Sequence, residues 1–263
     1  LANLGVSVRL TLHWQNRDYW VLVRQRRQDR GDVVLKLISG YVPAHELNIP
    51  LHTAIQEIAE ECLLETPEGW LGGRFNDTWL PAPYSSALHY REALPFRLSP
   101  LSGSARPVRC ANLQLQERPR AYVHLPTASL QLIYDLRLDV PKEAKSLSLF
   151  HVDERLEGDQ LVARLDRKRP DLYLMPLQDG QPLPELYTLK KDQLYPASTR
   201  GLYLAESFAR QEGWLVRDER IRWKDWLRQQ GLTPPEKTTG LARLRGKAKQ
   251  LLKKIVPRKK VNS

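Results

Sequence analysis

The chain has 263 residues, 41% of them apolar, and a formal net charge of +11. Its length allows one large domain or one domain with an appendage, and seven tryptophans with ten tyrosines argue against disorder over most of it. No window approaches the roughly 18 consecutive apolar residues of a membrane span, and the opening LANLGVSVRL has neither a basic n-region nor a long apolar run, so no signal peptide is expected.

In chain order, the first predicted element is a hairpin. Val6, Val8, Leu10, Leu12 and Trp14 alternate with mostly polar residues, the period of a half-buried strand. Gln15, Asn16, Arg17 and Asp18 supply turn chemistry, and a second strand resumes over 19–23. A charged connection at 24–32 leads to a third strand at 33–38 and a loop at 39–48. A helix then starts near Pro50, with Asn48 as its candidate cap. Leu51, Ile55, Ile58 and Cys62 make its apolar stripe, and the spacing predicts an end between Leu64 and Thr66.

Residues 67–129, dense in prolines, aromatics and turn residues, read as short elements inserted into a parent fold. The alternation of Leu130, Leu132, Tyr134, Leu136, Leu138 and Val140 predicts a strand at 129–140. Further strands are expected at 147–152 and 161–165. A helix is expected from Asp192 or Pro196 to Glu212, and a short one at 221–230 closed by Gly231. Residues 233–236 form a linker, and no internal repeat is visible.

Chemistry concentrates on the first helix. Glu57, Glu60 and Glu61 stand at i, i+3 and i+4, so their carboxylates leave the helix on one side, away from the apolar stripe. Like charges at this spacing cost a few tenths of a kcal/mol per pair. A bound Mg²⁺ or Mn²⁺ reverses that sign, because hard cations prefer oxygen ligands. Most Glu-rich helix faces are simply solvated, so the triad alone does not define a site.

The surroundings say more. Gly40 is followed after five residues by Glu46, and Gln56, Glu57, Ile58, Ala59, Glu60, Glu61, Cys62, Leu63 and Leu64 come later. This stretch, 40–64, resembles the box of the Nudix hydrolase superfamily: Gly, five residues, Glu, seven residues, then Arg-Glu-hydrophobic-any-Glu-Glu-any-Gly-hydrophobic. The resemblance covers about a tenth of the chain. Three positions depart from the pattern: nine residues separate Glu46 from Gln56 in place of seven, Gln56 replaces the arginine, and Leu63 replaces the second glycine.

The resemblance implies an α/β fold, a Nudix-like α/β/α sandwich with a mixed sheet. That domain would span 1–232, with an insertion after the helix at about 67–129. It also implies a magnesium- or manganese-dependent hydrolase that cleaves a diphosphate bond in a nucleoside-diphosphate-linked or related small molecule. Glu57, Glu60 and Glu61 would be the metal ligands and catalytic carboxylates, one of them able to act as base. Gly40 would add its backbone carbonyl, Glu46 would brace the loop, and a homodimer would be reasonable. The departures favour an alternative, a catalytically inactive Nudix-like binding or scaffold protein.

Other chemistry is poorly supported. There is no Gly-Lys-Ser/Thr phosphate loop, no GxGxxG and no GxSxG. The six histidines show no zinc-like spacing with cysteine; His45 could contact a substrate phosphate but reads more readily as a solvated loop residue, and Asp153, Glu154 and Glu157 suit a further catalytic carboxylate and a solvated acidic turn equally well. Cys62 and Cys110 make no disulfide framework, and a reducing cytoplasm fits them best.

The charge is concentrated at one end. Residues 237–263 hold ten basic and no acidic residues, so 1–236 sum to +1. Leu241, Leu244, Ala248, Leu251, Leu252 and Ile255 recur at helical spacing, with Arg243, Arg245, Lys247, Lys249, Lys253 and Lys254 between them. This predicts a basic amphipathic C-terminal helix ended by Pro257. Such a helix contacts an anionic membrane, here at its inner face, or a protein partner, or packs on the body with its lysines solvated. The lack of aromatics in the tail argues against stacking on nucleic acid.

Overall fold

The computed structural model describes residues 3–26, 33–80, 90–101, 108–110, 113–115, 119–205, 208, 215–216 and 220–232. The basic tail, including Arg243, Arg245, Lys247, Lys249, Lys253 and Lys254, and the linker before it lie outside the described residues.

The first half of the chain holds β1 (Leu4–Trp14), β2 (Arg17–Arg26), β3 (Val33–Lys36), β4 (Ile38–Tyr41), α1 (Pro50–Glu61), β5 (Cys62–Thr66), β6 (Gly69–Phe75), β7 (Thr78–Trp79), β8 (Tyr90–Pro100), β9 (Val108–Cys110), β10 (Leu113–Leu115), β11 (Arg120–His124) and β12 (Ser129–Asp139). The second half holds β13 (Ser148–His151), β14 (Asp153–Glu157), β15 (Gln160–Arg164), β16 (Leu172–Gln178), β17 (Gln181–Pro182), β18 (Tyr187–Lys190), β19 (Gln193–Pro196), β20 (Tyr203–Ala205), β21 (Leu215–Val216), β22 (Arg220–Arg222) and α2 (Trp223–Gln229). The result is a mixed α/β fold dominated by one 18-stranded sheet, with β9–β10 and β14–β15 as separate ribbons. The stretch 67–129, expected as an insertion, contributes β6, β7, β8 and β11 to the large sheet.

The two best-patterned segments form its centre. β1 runs parallel to β12 from Leu4 opposite Leu130 to His13 opposite Asp139. Their alternations therefore coincide: Val6, Val8, Leu10 and Leu12 point with Tyr134, Leu136 and Leu138 into one buried cluster. Ala54, Ile55 and Ile58 of α1 pack into the same cluster. On the other side of the sheet, Leu22, Leu35, Tyr122 and Ile133 meet Trp223, Trp226 and Leu227 of α2. β1 and β2 are joined through Gln15 (φ 48) and Asn16 (φ 59), a two-residue turn with both central residues left-handed. Such turns match the right-handed twist of antiparallel strands.

Four local expectations are corrected. Helix α1 ends at Glu61, and Cys62–Thr66 is a strand paired antiparallel with β13, from Cys62 opposite His151 to Glu65 opposite Ser148. Cys62, Leu63 and Leu64 are all buried, which a one-sided helix cannot achieve but a strand covered on both faces can. The N-cap of α1 is Ile49, with no side-chain cap, so Asn48 does not serve and Pro50 alone favours the first turn. The helix expected over 192–212 is absent from its described part, where β19 and β20 stand; the pairing of β20 with β3 and β22 overrides helical spacing. The last helix begins at Trp223, because Arg220–Arg222 pairs with β20. No helix among the described residues is long and apolar enough to cross a membrane.

Candidate active site

Chain direction places the acidic helix beside a glycine. β4 pairs antiparallel with β1, with Gly40 opposite Val6, and the loop after β4 returns the chain into α1, which packs on that same sheet face. The Glu57 carboxylate lies in the space a Cβ at position 40 would need. Glycine is therefore required here by close approach, and its φ is not in the left-handed region.

Glu46 sits in a 3-10 turn (Ala44–Glu46) between β4 and α1. It accepts a hydrogen bond from the Thr53 hydroxyl at 2.6 Å and lies 2.8 Å from His52 Nδ1. Thr53 and His52 belong to the first turn of α1, so Glu46 ties the loop to the helix start. The Thr53 hydrogen bond, aided by His52, holds the Glu46 carboxyl below its usual range despite partial burial. His45 approaches Glu46 only at 3.9 Å and is exposed.

The other carboxylates are each engaged within the protein. Gln56, standing where the Nudix pattern has arginine, donates from Nε2 to Glu60 Oε1 at 2.8 Å. Glu61 lies 3.9 Å from Lys36 Nζ through Oε1 and 3.7 Å from His151 Nε2 through Oε2. Lys36 Nζ also donates to Ser39 Oγ at 3.3 Å. Both Glu61 Oε2 and His151 Nε2 are buried without a hydrogen-bond partner. Glu61 also sits beside Cys62. Burial first, and then the Glu61 charge, push the Cys62 thiol up to about 12, so it stays protonated.

The structure thus brings Gly40 and Glu57 together, ties Glu46 to α1 and lines Glu60 and Glu61 along the same helix. Among the described residues, no three His, Cys, Asp or Glu side chains form a group able to hold a metal ion. Neither a family model nor a curated protein sequence matches the chain. Sequence reasoning missed Lys36 and His151. Neither has a local spacing that points to Glu61: Lys36 reaches it from the end of β3, and His151 through the β5–β13 pairing. The acidic residues Asp153, Glu154 and Glu157 fall in β14, whose side chains lie outside the described residues.

Proposed function

We propose that this chain is a Nudix-type hydrolase that uses a divalent metal ion to cleave a diphosphate bond in a nucleoside-diphosphate-linked or related small molecule. The observation that carries the reading is the packing of the Glu57 carboxylate against Gly40. It joins the glycine strand to the acidic helix, the relationship that the stretch 40–64 suggests.

In this reading Mg²⁺ or Mn²⁺ would have to be gathered by carboxylates that, among the described residues, do not stand grouped as a three-ligand set. Glu57, Glu60 and Glu61 offer hard oxygen donors on one helix. The buried Glu61 Oε2 has no hydrogen-bond donor, a state that costs about 1–3 kcal/mol until a cation or donor offsets it. A bound ion would neutralise the diphosphate and lower the pKa of an attacking water. Gln56 positions Glu60, Glu46 holds the loop, and Gly40 leaves room for Glu57.

A second reading, an inactive Nudix-like scaffold, draws on Lys36. Its ammonium stands 3.9 Å from Glu61 and supplies positive charge where a metal would. In both readings the cationic tail at 237–263 docks the body on an anionic membrane surface or a protein partner. A site in a reducing cytoplasm, at the inner face of a membrane, suits that tail.

The deciding experiment is Mg²⁺- and Mn²⁺-dependent turnover of a panel of nucleoside-diphosphate compounds, with Glu60→Gln/Glu61→Gln as control. The hydrolase reading expects turnover in the native protein that falls about 100-fold or more in the control. No turnover together with no metal binding supports the scaffold.

A further inference from the structure

Five large apolar side chains stand exposed among the described residues, and three of them fall together. Tyr41 is 63% exposed, Leu47 53% and Ile49 58%, all between the end of β4 and the start of α1. Singly exposed apolar residues are ordinary, but three within nine residues are not. The fold holds them outward. Val42 is buried, and its N–H is fixed to the Leu4 carbonyl at 3.0 Å. Two tight turns then coil the chain: the Glu46 N–H donates to the Pro43 carbonyl at 2.9 Å, and the Ile49 N–H to the Glu46 carbonyl at 2.8 Å. These bonds satisfy backbone donors that would otherwise need water.

The charge of this segment is turned the other way. Glu46 is the only carboxylate in 41–49, and it is 14% exposed and tied to Thr53 and His52. The first turn of α1, which follows directly, has no acidic residue. The outward surface of 41–49 is therefore apolar, with neither a lysine nor an arginine in the segment. We propose that this segment dips into the surface layer of an anionic lipid membrane, Tyr41 at headgroup level and Leu47 and Ile49 among the acyl chains. The tail at 237–263 supplies the complementary signal, ten basic residues and no acidic one. Residues 1–236 sum to +1, so the body offers no excess of negative charge to hold that tail. Stable attachment to a membrane takes two such signals, one apolar and one cationic. An acidic protein surface would answer the tail alone. The inference names the face of the body that meets lipid, and it does not depend on what the carboxylates of α1 bind.

The test uses the full chain and vesicles of equal parts phosphatidylcholine and phosphatidylglycerol. A polarity-sensitive dye is attached to Leu47→Cys in a Cys110→Ser background, where the buried Cys62 stays unlabelled. On binding, its emission should shift to the blue and be quenched by lipids brominated in the acyl chain. Unlabelled Leu47→Ser/Ile49→Ser should bind about ten-fold or more weakly, since it loses two apolar side chains that lipid would bury. Its melting temperature should hold, because both side chains are exposed. A dye that stays in water on vesicle-bound protein, or an unchanged affinity of the double variant, would overturn the inference and leave the tail as the contact. Binding to no vesicle would overturn it and leave an acidic protein as the partner of the tail. A dye already shielded before vesicles are added would place the tail or a second copy on the segment, and would overturn it too.

Discussion

The carboxylate of Glu57 fills the space beside Gly40 that any other residue's Cβ would occupy. Strand β4 and helix α1 are therefore locked together at the point where the candidate site begins. Gly40→Ala must push Glu57 aside. The displaced atoms are the far end of a flexible side chain, so the stability loss should stay within about 1–3 kcal/mol, the usual range for overpacking. Metal affinity should fall far more than that loss explains. Thermal melting and calorimetric metal titration of the same variant separate the two effects, and unchanged affinity would contradict a role for Glu57 as ligand.

Glu46 links the loop to α1 through a carboxylate whose folded pKa lies below its ordinary value of 4.5. A depressed pKa means that the charged form stabilises the fold. That contribution is complete above the ordinary value and is lost as pH falls from there through the folded pKa. Glu46→Gln should be less stable than the native protein at neutral pH, and the gap between them should narrow below about pH 4.5. Denaturation midpoints across that range test this, and a gap independent of pH would exclude a contribution from the Glu46 charge.

Cys62 is buried and its thiol is held up at about 12. In a Cys110→Ser background it should resist a thiol reagent near neutral pH and react fully once denaturant exposes it. Fast labelling of the folded protein would mean that the β5–β13 pairing opens readily, since Cys62 lies opposite His151 in that pair.

A chain ending at residue 232 lacks all ten basic residues of 237–263. If the tail docks on a membrane, the full chain should bind anionic vesicles but not neutral ones. The shortened chain should bind neither, and added salt should weaken what binding there is. Binding to anionic vesicles that survives about 1 M salt would contradict the electrostatic version. The shortened chain should keep its melting temperature.

Several features were legible in the residues alone, because local periodicity and short spacings encode them. The β1–β2 hairpin, the strand at 129–139, the start of α1 and its buried stripe all follow from alternation and turn chemistry. Where these signals were absent or ambiguous, tertiary pairing decided. Cys62–Thr66 carries an apolar run that suits helix or strand equally, and β13 made it a strand. The apolar residues at 202–205 fit a helical stripe, and β3 and β22 drew them into the sheet. The sequence alone determined which residues carry the carboxylates, the glycine and the cationic tail. Only the tertiary structure decided what meets them. Lys36 and His151 reach Glu61 from strands 25 and 90 residues away, and no local pattern records a contact that only strand pairing creates.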